Sequence, residues 1–242
     1  MPAVFVHGVP DTTSMWNQLL GALNRSDTVT LALPGFATPI PDGWNASKDE
    51  YAAWLEGELV AIGEPVDLVA HDWGAILSQR VASTRPDLIR TFACGSGPLD
   101  VEYEWHAMAQ LWQTSDVGEE IVAGMLALPR DDLAAGLAAG GAPLALAALQ
   151  ATTLDALMAD CMLKLYRSAK FVGAEWQPTV DAMVARPSMV FHGRDDLYVG
   201  EHIAQRLADR INGEFVVYPE CGHWWPWARA TETAEHLRRL WS

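Results

Sequence analysis

The 242-residue chain carries 31 acidic and 16 basic side chains, a formal net charge of −15, and half of its residues are hydrophobic. This size and composition predict one folded domain with a large core. The negative charge argues against nucleic-acid and acidic-membrane partners. The sequence contains no run of about 18 apolar residues, so no membrane span is predicted. With no pattern of a secretory signal at its start, the sequence favours a cytoplasmic protein acting on a small neutral molecule.

Short apolar and β-branched runs alternate with helical stretches along most of the chain, as in a parallel sheet flanked by helices. The predicted strands are 3–6, 28–33, 66–70, 88–94, 188–191 and 214–217. The predicted helices around them are 51–62, 74–83, 200–211 and 230–240.

Residues 98–186 interrupt this alternation, because they are rich in Ala and Leu and contain no convincing strand. They are predicted to form several helices. A helical insertion between two strands of a parallel sheet is predicted to cover the carboxyl ends of the strands, where ligands bind in such folds. The sequence therefore predicts a core domain of residues 1–97 and 187–242, and a helical cap of residues 98–186.

The three cysteines, Cys94, Cys161 and Cys221, are an odd number at wide spacings. This pattern argues against a disulfide framework and against a Cys-x-x-Cys metal site. We expect all three to be buried as small apolar residues, and we expect neither a metal ion nor a cofactor.

The strongest candidate nucleophile is Asp72, in the segment Val-Ala-His-Asp-Trp-Gly-Ala at 69–75. It lies where a buried strand is predicted to turn sharply into a helix, with the small residues Ala70 and Gly74 beside it, as in a nucleophile elbow. A carboxylate there would be favoured by the helix N-terminus and could attack an sp³ carbon to form an alkyl ester. An ordinary N-cap aspartate is the alternative for this segment taken alone.

His223 follows the last predicted strand, and Asp195 and Asp196 follow the strand before it. This is the chain order nucleophile, acid, base of the α/β-hydrolase fold. A histidine in this place can act as the base, and a carboxylate can orient it and stabilise its charged form. Both aspartates qualify as that carboxylate.

The fourth motif is His-Gly-Val-Pro at 7–10, directly after the first strand. Gly8 allows the backbone to bend so that the N–H of Val9 points into the site. Together with the N–H of Trp73, it is predicted to form an oxyanion hole.

In type, order and spacing, these four motifs resemble the epoxide hydrolase and haloalkane dehalogenase branch of the α/β-hydrolase superfamily. The resemblance covers nearly the whole chain. It implies that Asp196, three residues after Gly193, is the acid, and that His7, Pro10 and Trp224 contribute to the substrate site. Most relatives carry two further strands before the first one here, so about six strands are expected, with strand 28–33 near an edge. Such an edge favours a homodimer contact.

The resemblance also suggests the residues that bind the leaving oxygen. Epoxide hydrolases of this branch use two cap tyrosines; Tyr166 matches one of them. The position of the other holds Trp105, with Tyr103 two residues away and on a different side of a helix. Trp105 and Tyr103 are therefore the candidates for contacting substrate beside Tyr166.

The reaction expected from the sequence is hydrolysis of a neutral, largely apolar epoxide to a vicinal diol through an ester on Asp72. The first alternative is a haloalkane dehalogenase, in which Trp73 and Trp105 would hold the halide, although that group often has Asn where this chain has Val9. The second alternative is a non-catalytic protein of the same fold that binds a small ligand. A serine esterase is disfavoured because the elbow holds no serine, and a fluoroacetate dehalogenase because the arginines after its nucleophile are replaced by Trp73 and Ile76.

Overall fold

The computed structural model describes residues 1–181 and 185–242. Its parallel sheet has six strands in the order β2-β1-β3-β4-β5-β6. The strands are β1 (Ala3–Val6), β2 (Thr28–Leu31), β3 (Val66–His71), β4 (Ile89–Gly95), β5 (Ser188–Gly193) and β6 (Glu214–Tyr218). The α/β-hydrolase fold with six parallel strands is confirmed, and every strand end lies within about two residues of its prediction, the usual scatter of such boundaries.

The helices of the described residues, in chain order, are α1 (Asn17–Leu23), α2 (Lys48–Ile62), α3 (Trp73–Thr84), α4 (Ala107–Gln113), α5 (Val117–Ala127), α6 (Arg130–Ala139), α7 (Leu144–Thr153), α8 (Ala156–Ser168), α9 (Val172–Asp181), α10 (Glu201–Arg210), α11 (Trp225–Ala228) and α12 (Ala230–Trp241). Helix α2 begins earlier than predicted. Its N-cap Ser47 and Glu50 form a reciprocal capping box, in which each side chain accepts the other's backbone N–H. The short helices α1 and α11 were not predicted.

The sheet is buried on both faces. In β1, for example, Phe5 pairs with Thr30 of β2 on one side and Val69 of β3 on the other, and the side chains of Phe5 and Val69 are fully buried. Strand β2 is an edge strand, as predicted, and three of its four residues are only half-buried. The homodimer contact at this edge stays a prediction. The three cysteines are free and buried.

Helices α4–α9 lie in the chain between β4 and β5 and correspond to the predicted cap; residues 182–184 near the end of that prediction lie outside the described residues. In the described part of the chain, no single helix is long and apolar enough to cross a membrane, and only the bent pair α7 and α8, taken together, meets the length and composition criteria. The core places the ends of β1, β3, β5 and β6 under the cap, which is where the candidate site lies.

Candidate active site

Asp72 occupies the sharp turn between β3 and α3. Its backbone is in a strained region, with φ 52° and ψ −124°, which a non-glycine residue adopts only where its surroundings enforce it. Two glycines allow the turn to approach its neighbours. A Cβ at Gly74 would overlap the carbonyl oxygens of Val6 and His7, and a Cβ at Gly97 would overlap the carbonyl oxygen of Asp72 itself. The local sequence therefore folds as the predicted elbow.

The carboxylate of Asp72 faces the loop after β1. The N–H of Val9 donates to its Oδ1 atom at 2.8 Å, and a Cβ at Gly8 would collide with the same carboxylate. Burial by itself raises the pKa of Asp72, but the nearby His223 and His71 and the Val9 N–H outweigh it, so the pKa is lowered. Trp73 is the first residue of α3, where a backbone N–H has no intrahelical acceptor. Of the two predicted oxyanion donors, the N–H of Val9 thus contacts the carboxylate, and the N–H of Trp73 directly follows Asp72 in the chain without an acceptor inside the helix.

His223 lies between Asp72 and Asp196. Its Nδ1 is 3.0 Å from Oδ2 of Asp196, and its Nε2 is 3.6 Å from Oδ2 of Asp72. Burial lowers the pKa of His223, but the two carboxylates more than compensate and raise it to about 10. Asp196, and not Asp195, is thus the acid that contacts the histidine.

Asp196 is itself held rigidly. Its carboxylate accepts hydrogen bonds from the backbone N–H groups of Tyr198 and Val199 and from the hydroxyl of Ser96. Although burial raises the pKa of Asp196, the adjacent His223 and these donors lower it to about 2. A carboxylate that is ionised and fixed in this way can orient the imidazole through its Nδ1–H.

A cavity of about 320 Å³ opens above Asp72 between the core and the cap. Apolar side chains form most of its wall, and the polar residues on it are Asp72, His223, Tyr166, His106, Gln150 and Tyr198. Of the sequence-predicted site residues, it brings together Val9, Pro10, Asp72, Tyr166, His223 and Trp224. Asp196 does not line the cavity, but its carboxylate contacts His223.

His7, predicted to contact substrate, does not line this cavity. Its ring is fully buried, its Nδ1 is 2.7 Å from the carbonyl oxygen of Gly8, and its Nε2 accepts the N–H of Leu33 at 3.1 Å. Burial lowers the pKa of His7 to about 4, so the ring is neutral near pH 7. With both nitrogens bound to backbone groups, His7 braces the loop that carries Val9.

Trp105 and Tyr103 also differ from their predicted placement, because neither lines the cavity. The indole N–H of Trp105 donates to the carbonyl oxygen of Ala169 at 3.3 Å, and the hydroxyl of Tyr103 donates to the carbonyl oxygen of Tyr198 at 3.2 Å. Polar groups committed to backbone acceptors in this way are not available to a ligand.

Trp105 instead packs its ring against Tyr166, outside the cavity. Its ring stacks on Trp73 at a centroid distance of 5.6 Å, and the ring of Tyr166 meets both indoles edge-on at 5.3 and 5.2 Å. Burial and the charge of Asp72 raise the pKa of Tyr166 well above its usual value, so its hydroxyl stays protonated. Tyr166 can therefore serve as an O–H donor on the cavity wall.

His106, which the sequence reasoning missed, lies on the cavity wall at the start of α4. Its Nδ1 accepts the N–H of Ala109 at 3.2 Å, which caps the helix. Burial lowers its pKa, so the ring is neutral near pH 7 and the proton is on Nε2. Nε2 has no hydrogen-bond partner among residues 1–181 and 185–242, so it can donate to a ligand. A histidine at a helix N-cap gives no signal that separates this role from simple capping.

No group of three or more His, Cys, Asp or Glu side chains arranged to hold a metal ion occurs in the described ranges. The polar groups that the cavity wall offers to a ligand include the carboxylate of Asp72, the imidazole of His223, which Asp196 holds, and two neutral donors, Tyr166 and His106.

Comparison with known proteins places this geometry in a family. A model of the alpha/beta hydrolase family matches residues 3–236. Three similar solved structures are the haloalkane dehalogenase DbeA from Bradyrhizobium elkani (18% identity, 99% of this chain and 90% of that chain, TM-score 0.77), a thermophilic esterase from Thermogutta terrifontis (15%, 99% and 88%, 0.78) and the thioesterase domain from the curacin biosynthetic pathway (16%, 98% and 91%, 0.72). At these identities the structures establish the fold, and the chain belongs to the alpha/beta hydrolase family.

Proposed function

We propose that this hydrolase is an epoxide hydrolase that forms a covalent ester on Asp72 and releases a vicinal diol. One observation carries the proposal: a carboxylate occupies the nucleophile elbow, while Tyr166, whose hydroxyl stays protonated, lines the same cavity. The attacking group and the acid that an oxirane needs are thus both present.

In the first step, Asp72 attacks one oxirane carbon and the bond from that carbon to oxygen breaks. The oxygen is bound by Tyr166, which transfers its proton to the developing alkoxide, while the Nε2–H of His106 donates a second hydrogen bond. Two donors on a leaving oxygen stabilise the charge that develops there. Because the pKa of Tyr166 is raised, the hydroxyl is protonated when the substrate arrives.

In the second step, water attacks the Asp72 ester and gives a proton to His223. Formation of the ester has removed the charge of Asp72, which is one of the two charges that raise the pKa of His223. The pKa of His223 therefore falls once the ester has formed: the imidazolium releases its proton to solvent, and the neutral imidazole becomes a competent base that regains this proton when the carboxylate of Asp72 is restored.

The intermediate then collapses. The N–H groups of Val9 and Trp73 stabilise its oxyanion, His223 returns the proton to the departing diol oxygen, and the Asp72 carboxyl proton restores Tyr166. Every proton is accounted for, and the net reaction is addition of one water to the epoxide.

The shape and chemistry of the cavity favour a neutral, largely apolar epoxide. Met108, Trp112, Met125, Leu133 and Leu137 are among the side chains that form its wall. A volume of about 320 Å³ is at the small end of ligand sites, which suits a compact substrate.

Haloalkane dehalogenation is the second candidate. Its specific support is the indole N–H of Trp73, which is buried and has no hydrogen-bond partner within the described part of the chain, because an N–H group beside the nucleophile can bind a leaving halide. Against it, Trp73 does not line the cavity and Trp105 donates elsewhere. A dehalogenase here would lack its pair of indole donors.

A paired assay on the purified protein separates the candidates. Wild type and Asp72→Asn are incubated with styrene oxide and small aliphatic epoxides, followed by diol formation, and with chloro- and bromoalkanes, followed by halide release. Diol formation that is lost in Asp72→Asn supports the epoxide hydrolase. Halide release without diol formation supports the dehalogenase, and neither product from a folded protein overturns both.

A further inference from the structure

Asp11 is a buried carboxylate for which the mechanism above has no use. It follows the His-Gly-Val-Pro motif, two residues after the oxyanion donor Val9, and is only 3% exposed. Its Oδ1 accepts from the Nε2 of Gln150 at 2.7 Å, and its Oδ2 accepts from the indole N–H of Trp224 at 3.0 Å. A charge this deeply buried is costly unless its hydrogen bonds are satisfied, so its retention calls for a physical reason.

The two partners of Asp11 belong to different parts of the molecule. Gln150 lies on α7 of the cap, whereas Trp224 directly follows the candidate base His223, and both line the cavity. The ring of Trp224 also meets the imidazole of His223 edge-on at 4.9 Å. One carboxylate thus joins the loop after β1, the cap and the loop that carries the base.

The cap segment that Asp11 holds has few other polar attachments. We call residues 130–153, which comprise α6 and α7, the α6–α7 hairpin. Among the described residues, only two hydrogen bonds join this hairpin to the core: Gln150 to Asp11, and the hydroxyl of Tyr198 to the carbonyl oxygen of Gly140 at 2.7 Å. Apolar side chains such as Leu146 also pack on the core, but such packing is not directional. The two hydrogen bonds therefore supply the directional part of the attachment of the hairpin to the core.

We propose that Asp11 is a positioning residue that ties the α6–α7 hairpin to the loop of His223 and so fixes both the cavity wall and the base. The catalytic consequence rests on the proposed function, whereas the hydrogen-bonded tie does not. Without Asp11, the hairpin loses one of its two polar attachments and Trp224 loses the acceptor that orients it beside His223.

The chemistry of the cluster suggests a conservative variant. Asparagine can accept from Trp224 through its carbonyl oxygen and can donate its amide to Gln150, whose Oε1 is buried and has no partner in the described ranges. The Gln150 amide only needs to turn over to present that oxygen. Asp11→Asn should therefore preserve the tie, whereas Asp11→Ala removes it and leaves two buried donors unpaired.

The first test does not depend on activity. Hydrogen–deuterium exchange is measured on unliganded wild type, Asp11→Ala, Asp11→Asn and the control Asp131→Ala, which removes an exposed carboxylate from the same hairpin. We expect exchange in the α6–α7 hairpin to be at least about tenfold faster in Asp11→Ala, and close to wild type in Asp11→Asn and Asp131→Ala. Uniformly faster exchange throughout Asp11→Ala, or no local change, would overturn the tie.

The second test uses turnover of the epoxide. Asp11→Ala should raise KM and lower kcat, with kcat/KM down about 30-fold or more, and Asp11→Asn should recover most of the loss. In a double-mutant cycle, Gln150→Leu should lower kcat/KM much less in the Asp11→Ala background than in wild type, because the hydrogen bond that it removes is already lost there. Additive losses, or no rescue by Asn, would refute the positioning role. If wild type makes no diol, the proposed function fails while the exchange test still decides the tie.

Discussion

The imidazole of His223 bridges two carboxylates, with Nδ1 3.0 Å from Asp196 and Nε2 3.6 Å from Asp72. These carboxylates differ in their support. Asp196 is held by three further hydrogen bonds and is fully enclosed, whereas Asp72 is 16% exposed on its side chain and faces the cavity. Only the charge of Asp72 can be removed by reaction with a substrate, so the properties of His223 change during the proposed cycle.

This arrangement predicts opposite outcomes for Asp72→Asn, which keeps the shape of the side chain, and His223→Gln, which removes the base. Asp72→Asn should abolish turnover, because a neutral amide is a poor nucleophile for an sp³ carbon. His223→Gln should leave the attack by Asp72 intact but block hydrolysis of the ester, so that the protein accumulates as an alkyl-enzyme. Intact-protein mass spectrometry after incubation with epoxide should detect one added substrate mass on His223→Gln and none on Asp72→Asn.

The matched control is Asp195→Asn, which removes the neighbouring carboxylate that does not contact the histidine and should behave as wild type. Steady turnover by Asp72→Asn would rule out the ester on Asp72. An unmodified His223→Gln protein would rule out its assignment as the base.

Tyr166 and His106, the two donors on the cavity wall, should contribute unequally to kcat/KM. Tyr166→Phe removes the only proton that the scheme supplies to the alkoxide, and we expect kcat/KM to fall about 100-fold or more. His106→Ala removes one hydrogen bond to the same oxygen and should cost about tenfold. Steady-state diol formation measures both, with circular dichroism to verify folding. A larger loss in His106→Ala than in Tyr166→Phe would reverse the assignment of the acid.

The elements that the sequence predicted are those in which local pattern and global fold agree. Strand 66–70 could be identified because it is apolar except for Asp67, and the elbow after it because Asp72 is followed by Gly74 at the point where the chain must approach β1. The order of Asp72, Asp196 and His223 along the chain then predicted their meeting at the strand ends. Each of these inferences depends on backbone constraints, which leave a direct trace in the sequence.

The cap was less predictable because the orientation of its aromatic side chains depends on tertiary partners. Nothing in the sequence reveals that the indole N–H of Trp105 is taken by the carbonyl of Ala169, or that the adjacent His106 faces the cavity instead. Adjacent helix-terminal residues point in different directions, so a shift of one position exchanges a packing residue for a donor.

Trp105→Phe tests whether Trp105 is a packing residue and not a direct contact of the substrate. The variant keeps an aromatic ring against Trp73 and Tyr166 but loses the indole N–H, so kcat/KM should stay within about threefold of wild type while the free energy of unfolding falls by about 1–2 kcal/mol. Diol assays and urea denaturation measure the two effects. A drop in kcat/KM as large as that of Tyr166→Phe, without a comparable loss of stability, would restore Trp105 as a direct contact of the substrate.

Two buried histidines predict how the stability of the fold depends on pH. Burial lowers the pKa values of His7 and His71 to about 4, against about 6.5 in the unfolded chain. Between these limits the unfolded state binds more protons at both sites, so the free energy of unfolding falls as the pH falls from about 6.5 to about 4. Each site contributes a slope of up to about 1.4 kcal/mol per pH unit. Asp11 has the opposite effect on the free energy of unfolding. Burial raises its pKa to about 6, so as the pH falls the folded state binds this proton before the unfolded state does.

Of these three groups, two histidines against one carboxyl group give a positive net slope between pH 6 and pH 4, of up to about 1.4 kcal/mol per pH unit, and the lowered pKa of His106 acts in the same direction. Urea denaturation of wild type and His71→Asn at half-unit intervals between pH 4.5 and 7 tests this. The variant will have a lower absolute stability, since the Nε2 of His71 lies 2.9 Å from the carbonyl oxygen of His223, but the slope is independent of that loss. The slope should become shallower by up to about 1.4 kcal/mol per pH unit, which is the contribution of one titrating site. Parallel curves for the two proteins would show that His71 does not titrate between the folded and unfolded states.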